Sequence, residues 1–258
     1  MIEAKNISYA IGEKFLVKDV SLKIESGEFV VIMGANGAGK STLLKMLAGS
    51  LKPIQGEILL NQKLLTDYST QQLAFQRAVL SQHYNIVFPN FVRDIVMMGR
   101  YPYFNNKPTT IDESIVTATM QQMQVKDLAN RDYNTLSGGE AQKVQMSRVL
   151  AQIGEPENAK EKILFLDEPV SHLDIKFQHQ LLQVAKILCN NHVAVVAVLH
   201  DINLAMKYAS KIAFMKNGQL IAMLNHPHEI STHVMQEVFD VETKIIKDEN
   251  NFPYIVFV

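Results

Sequence analysis

The stretch GANGAGKST, residues 34–42, constrains this chain more than any other. It fits G-x-x-x-x-G-K-[ST], with Gly34, Gly39, Lys40 and Ser41 at the fixed positions. Before it runs EFVVIM, an apolar, β-branched segment that predicts a buried strand. After it, STLLKMLAG carries Leu43, Leu44 and Leu47 at helical spacing, with Gly49 as the stop. Strand, glycine loop and helix start is the context in which such a loop holds phosphate. The glycines let the backbone curl, so that several N–H groups along Gly34, Ala35, Asn36, Gly37, Ala38 and Gly39 point at one anion. The start of the helix, through Ser41 and Thr42, adds its partial positive charge. Lys40 is expected to reach the β- and γ-phosphates and the Ser41 hydroxyl to ligate Mg²⁺. Such a cradle does not by itself separate a kinase from a GTPase or a motor.

A chain of 258 residues can bury a full core, as one large domain or as a core with a subdomain. A net charge of −1, with 20% charged residues, argues against a nucleic-acid binder that works through a global basic field. The one cysteine, Cys189, excludes an internal disulfide and a Cys-based zinc site, and ends LLQVAKILC as a buried helix thiol. Glu3 and Lys5 interrupt any apolar start, so no secretory signal is expected. The longest apolar run, residues 193–199, is far short of the roughly 20 residues that span a bilayer. The expected location is therefore the cytosol, and any work at a membrane requires a separate spanning chain.

NISYAI and VKDVSLKI alternate apolar and polar residues, as half-buried antiparallel strands do. GEILL and RAVLSQ also read as strands. From residue 91 to about 152 the pattern is helical, with no convincing strand. ILFLDE and HVAVVAVLHD return as buried strands, and KIAFMKNGQLIAML reads as a hairpin across Asn217-Gly218. A helical insert thus interrupts an α/β core.

Four further segments carry chemistry. ILFLDEP, residues 163–169, is a strand that ends in two carboxylates. Asp167 can help hold Mg²⁺, usually through water, and Glu168 can polarise a water that attacks the γ-phosphate. LSGGE, residues 136–140, opens a helix whose Ser137, Gly138 and Gly139 offer a second anion cradle. That helix continues with Val144, Met146, Val149 and Leu150 expected partly buried. Gln82, ending AVLSQ, can offer its amide oxygen to Mg²⁺ or to the attacking water, and His200, ending VAVVAVLH, can donate to a phosphate oxygen. Taken singly, each of these also fits a capped turn or a satisfied strand end.

In this order, the phosphate loop, Gln82, LSGGE, ILFLDEP, SHLD and His200 together resemble the ATP-binding subunits of ABC transporters, over essentially the whole chain. The resemblance implies an α/β fold: a RecA-like P-loop ATPase core with an antiparallel β subdomain, the core comprising residues 1–84 and 153–258. A helical subdomain of about residues 85–152 is inserted in it. It implies a homodimer, paired head to tail around two ATP molecules. Each site would use the phosphate loop, Gln82, Asp167, Glu168 and His200 of one copy and Ser137, Gly138 and Gly139 of the other. Asp174 and its neighbours would pass information between the sites. Tyr9 is the expected aromatic platform for adenine, although Ile11 lies nearer the family's usual spot. Val170 stands where the family often has Thr. By the same resemblance the subunit would sit peripherally at the cytoplasmic face of the inner membrane. It would act with two copies of a multispanning permease and, through them, a substrate-binding protein, with no nucleic acid involved.

The segment LSQHYNIVFPNFVRDIVMMGRYPY, with its GRYP at residues 99–102, resembles importers of iron chelates, haem and cobalamin. The spacing from Leu136 to Asp167 exceeds that of most family members by the polar GEPENAKEK, residues 154–162, which resembles the haem-importer branch. Haem is therefore the expected cargo, with ferric siderophore or cobalamin as the alternative. Phe88, Phe91, Met97 and Tyr101 are expected to dock a permease helix, or else to fill the subdomain core. Two other classes compete. A soluble ABC ATPase of DNA repair or ribosome work usually carries coiled coils or two cassettes, and a non-hydrolysing scaffold should lack the chemistry of Glu168 or His200. HPHE at residues 226–229, with His233 beyond, reads as a turn before a helix rather than a metal or haem site.

Overall fold

The computed structural model describes residues 1–82, 86, 88–154 and 161–258. The insertion singled out above falls largely on residues 155–160, and the boundary at 84/85 on residues 83–85. Both lie outside the described residues.

Antiparallel strands β1 (Ile2–Ile11) and β2 (Lys14–Ile24) precede β3 (Phe29–Gly34), and the glycine loop then leads into α1 (Lys40–Leu47). β4 (Gln55–Leu60), β5 (Lys63–Leu64), α2 (Thr70–Gln76) and β6 (Arg77–Leu80) follow. The helical stretch holds α3 (Val92–Met97), a 3-10 segment Met98–Tyr103, α4 (Thr110–Gln122) and α5 (Gly138–Ile153). The chain then forms β7 (Ile163–Asp167), α6 (Ile175–Asn190), β8 (Ala194–Val198) and α7 (Ile202–Tyr208). It closes with β9 (Lys211–Lys216), β10 (Gln219–Leu224), α8 (Thr232–Phe239), β11 (Thr243–Lys247) and β12 (Pro253–Phe257).

Among the described residues the main sheet has the order β10-β9-β3-β8-β7-β6, parallel from β9 to β6. β10 is an antiparallel edge, turned at Asn217 and Gly218, both at positive φ as an Asn-Gly hairpin requires. Every residue of β3, β7 and β8 is buried, because apolar layers cover both faces. Alternation along the strands divides the core. Phe29, Val31, Met33, Leu164, Leu166 and Val195 face the cluster built with the helices from α3 onward. Val30, Ile32, Phe165 and Val196 face α1, whose Leu43, Leu44 and Leu47 fill the space beneath the second sheet, β2-β1-β4-β5.

Val144, Met146 and Val149 prove fully buried and Leu150 nearly so, rather than partly. α5 is clasped on several sides, by α3, α4 and β6. Gly99 lets the 3-10 segment touch it, since a Cβ there would collide with the Arg148 carbonyl oxygen. Met97 is also buried, so of the four proposed docking residues it belongs to the core, while Phe88, Phe91 and Tyr101 are exposed. Among the described residues no helix is long and apolar enough to cross a membrane.

Candidate functional site

The parallel strands deliver their C-terminal ends to one edge of the sheet, where α/β proteins bind ligands. Gly34 ends β3 and Asp167 ends β7. Gln82 and His200 do not end strands as the sequence predicts: β6 stops at Leu80 and β8 at Val198. Leu80 pairs with Leu166 and Val198 with Asp167, so β7 runs out just where these residues begin, and both lie in loops above the edge.

The loop between β3 and α1 depends on two glycines. Gly34 has φ 151° and Gly39 φ 97°, and a Cβ would collide with the carbonyl oxygen of Met215 at the first and of Leu16 at the second. Gly39 is the N-cap of α1 and gives no side-chain cap, so the first N–H groups of that helix await an outside acceptor. The Lys40 ammonium folds back under the loop, donating to the carbonyl oxygens of Gly34 (2.9 Å) and Ala35 (3.0 Å). Burial pushes its pKa down, while Glu168 and Asp167 pull it back up. Ala35, Asn36 and Gly37 are exposed above it, Ala38 is buried, and Thr42 is half-buried in the first turn of α1.

Ser41 Oγ donates to Asp167 Oδ1 at 2.8 Å. Glu168 sits in the left-handed region at φ 51°, a conformation that costs a non-glycine residue about 1–3 kcal/mol and persists where its surroundings impose it. Its carboxylate is bracketed: Gln82 Nε2 donates to Oε2 at 2.7 Å, and His200 Nε2 lies 2.8 Å from Oε1. The structure thus gathers Lys40, Ser41, Gln82, Asp167, Glu168 and His200 at one edge. Beside Glu168 and His200 opens a cleft lined also by Ser171, Gln178 and Asp201.

Asp167 is 2% exposed, and burial pushes its carboxyl pKa up, against the Ser41 hydrogen bond and the Lys45 charge. The folded state therefore takes up a proton at higher pH than the unfolded chain. Stability falls as pH rises through the window between the ordinary carboxylate value and the raised one. Asp167→Asn keeps an acceptor for Ser41 and removes the charge. It should melt above the wild type at pH 7.5, the gap closing as pH drops into the carboxylate range. A pH series of melting curves checks this, and an Asn variant that melts below wild type at pH 7.5 contradicts it.

The remaining predicted residues stand elsewhere. Ser137 caps α5 in a capping box, donating through N (2.8 Å) and Oγ (2.9 Å) to Glu140 Oε2. It and Gly138 are exposed, and Gly138 and Gly139 face His172 and Leu173 rather than the chain's own phosphate loop. Asp174 caps α6. Tyr9 is half-buried against the β-sheet core, opposite Val17, whereas Ile11 (65% exposed) and Phe15 (43%) stand out at the tip of the same hairpin. HPHE forms a short 3-10 turn at Pro227–Glu229, with Glu229 Oε2 accepting from the Asn225 N–H. Three further residues shape the site: Ser171, which the sequence offered within SHLD without a role of its own, and Gln142 and Gln178, which it did not single out. Ser171 Oγ donates to the Glu168 carbonyl (2.8 Å), Gln142 Nε2 to the Pro169 carbonyl (2.9 Å), and Gln178 Nε2 to the Leu173 carbonyl (3.1 Å). Helical phase could have signalled Gln142, which lies one turn beyond Gly139 on the same face.

A glycine loop, a serine–aspartate pair and a bracketed carboxylate, gathered at the C-terminal edge of a parallel sheet, have the make-up of a nucleotide-phosphate site. The chain belongs to the ABC transporter family, whose sequence profile matches residues 17–171. It is 38% identical over 257 residues to the hemin import ATP-binding protein HmuV of Rhodopseudomonas palustris strain BisA53, covering 99% of this chain and 93% of that one. To the HmuV of Methylobacillus flagellatus it is 42% identical over 243 residues, covering 93% and 90%. Among solved structures, an ATP-binding cassette seen as a post-hydrolysis dimer with ADP and Pi is similar with a TM-score of 0.75 at 28% identity, covering 86% of this chain and 97% of that one. The fold is shared with an inward-facing metal-chelate type ABC transporter, at a TM-score of 0.80 and 24% identity, over 100% of this chain and 96% of that one.

Proposed function

We propose that this chain is the ATP-hydrolysing subunit of an ABC importer and drives haem uptake through a separate permease. The observation that carries the chemistry is the Glu168 carboxylate, held between Gln82 and His200 beside the phosphate loop. The haem reading draws on the hemin import relatives, which align over nearly the whole chain. The functional division is a core of residues 1–84 and 153–258 with a helical subdomain of about 85–152 inserted in it.

ATP lies with its β- and γ-phosphates over the loop between β3 and α1. Lys40 leaves the Gly34 and Ala35 carbonyls and turns its ammonium to the phosphates. Adenine rests against the end of the first hairpin, with Tyr9 as its aromatic partner. The hydroxyl of Ser41, the buried carboxylate of Asp167 and the amide oxygen of Gln82 are oxygen donors that suit a hard cation, so these residues would hold Mg²⁺. When bound, Mg²⁺ neutralises charge on the phosphate oxygens. Glu168 orients and polarises the water. As the water oxygen bonds to the γ-phosphorus, the bond from phosphorus to the oxygen bridging to the β-phosphate breaks, and ADP and inorganic phosphate result. His200 donates to a γ-phosphate oxygen. A second copy contributes Ser137, Gly138 and Gly139, whose helix end faces outward in the single chain. Asp174, in the segment beside that helix start, relays between the two sites. The dimer's closure moves two copies of the permease at the cytoplasmic face, and a substrate-binding protein delivers cargo to the far side.

Phe88 (76% exposed), Phe91 (56%) and Tyr101 (57%) supply adaptable apolar anchors for a permease helix. Phe91→Ser and Tyr101→Ser should each weaken co-purification with the permease by about thirtyfold, the loss of a typical interface anchor. Basal ATPase should be retained and haem uptake lost. Full co-purification and uptake in the double variant would remove these residues from the docking surface. The absence of ATP hydrolysis by the purified wild-type chain would defeat the function itself.

A further inference from the structure

The first two turns of α5 grip the turn that carries the catalytic carboxylate of the same chain. Gln142 Nε2 donates at 2.9 Å to the carbonyl oxygen of Pro169, the residue next to Glu168. One turn back on the same face, a Cβ at Gly139 would come to 3.3 Å from the His172 carbonyl oxygen. One residue on, the Lys143 ammonium lies 2.9 Å from the ring centroid of Phe177, in the first turn of α6. The gripped turn holds two left-handed non-glycine residues, Glu168 at φ 51° and His172 at φ 65°. Such conformations survive only where neighbours over-determine them. Its carbonyls are held one by one: Glu168 by Ser171 Oγ, Pro169 by Gln142, and Leu173 by Gln178. Ser171 belongs to the turn and Gln178 to α6, which follows it directly. Gln142 comes from the helix whose N-terminus is Ser137.

We propose that Gln142 is a positioning residue for hydrolysis. It transmits the docking of nucleotide on the α5 N-terminus to the orientation of Glu168 in the same chain. The inference rests on the two-copy ATP site proposed above. In that arrangement residues 137–139 of one chain meet the ATP held by its partner, whereas Glu168 acts on the ATP held by its own phosphate loop. A shift of α5 as a rigid rod therefore pulls on Pro169 at the other site. The hydrogen bond of Gln142 is a direct route from one ATP to the carboxylate that hydrolyses the other, and hydrolysis should depend sigmoidally on ATP.

The test is steady-state ATPase against ATP concentration for the full chain, Gln142→Glu and Gln142→Lys. Fluorescent-nucleotide affinity and melting temperature are measured alongside. Gln142→Glu keeps the shape of the side chain and loses the donor. Its kcat should fall by about 10- to 100-fold, as for a slightly misplaced catalytic group. ATP affinity and melting temperature should hold, and the sigmoidal dependence should flatten. Gln142→Lys restores a donor and should recover most of the rate. Wild-type kcat and sigmoidicity in Gln142→Glu would overturn the inference. So would a loss that tracks a lowered melting temperature and is not rescued by lysine. A wild-type chain that does not hydrolyse ATP would instead fail the function on which the inference rests.

Discussion

Glu168→Gln should bind ATP and scarcely hydrolyse it. The amide keeps the length of the side chain and an oxygen that accepts from Gln82, whose Nε2 lies 2.7 Å from the native carboxylate. It removes the negative charge proposed to polarise the attacking water. A lost general base costs about 10²–10⁴ in rate. Binding should survive because the phosphate loop and Lys40 are untouched, and the residue beside Glu168 that would serve the metal, Asp167, remains. Bound ATP then keeps bridging the phosphate loop of one copy to Ser137 and its glycines on the other. The closed dimer should accumulate with ATP and Mg²⁺, visible by size-exclusion chromatography with light scattering. Adding Ser137→Arg places bulk and charge at the shared phosphate and should return the protein to monomer. Wild-type turnover in Glu168→Gln would show that the catalytic carboxylate lies elsewhere. Tight ATP binding by a persistent monomer would count against the two-copy site.

Lys40→Ala should fail earlier, at binding. Lys40 is 6% exposed as a residue, and its ammonium is already held at the loop by the Gly34 and Ala35 carbonyls, so the structure carries the burial of that side chain before any ligand arrives. Its removal leaves phosphate charge facing a cradle that lacks its one cationic side chain, beside the low-dielectric interior where Lys40 is rooted. Loss of one preorganised donor costs on the order of 10²–10³. Lys40→Ala should lower turnover by at least that factor and weaken ATP affinity strongly, with circular dichroism unchanged. Near-normal hydrolysis in the folded variant would remove the phosphate loop from the chemistry.

The two variants act on groups whose legibility in the sequence differed. Lys40 and Ser41 were readable because a contiguous loop fixes both, and the buried strand and leucine-spaced helix around it formed as expected. Asp167 was readable for the same reason, as a carboxylate ending an apolar run. The bracket around Glu168 was not. Gln82, Glu168 and His200 follow three different strands, and the parallel register of β6, β7 and β8 is what brings them within hydrogen-bonding distance. No local pattern encodes that register, nor the left-handed backbone at Glu168. Gln142 carries no chemical signature of its own; only its helical phase, one turn beyond Gly139, pointed toward the turn it holds. The C-terminal pair β11 and β12 also escaped notice. Thr243–Lys247 alternates weakly, and its hairpin is closed by Asp248 Oδ1, which accepts from the Asn250 and Phe252 N–H groups, rather than by a glycine turn. Asn203 then pins that hairpin to α7 through both the N–H and the carbonyl of Ile255, a contact between residues 52 apart in sequence.

Growth on haemin tests the central claim most directly. A strain whose only copy of this chain carries Glu168→Gln should fail to grow with haemin as its sole iron source and should grow normally on a ferric salt, because import would stall with ATP bound. Wild-type growth on haemin, or a defect confined to a ferric siderophore or to cobalamin uptake, would contradict the account.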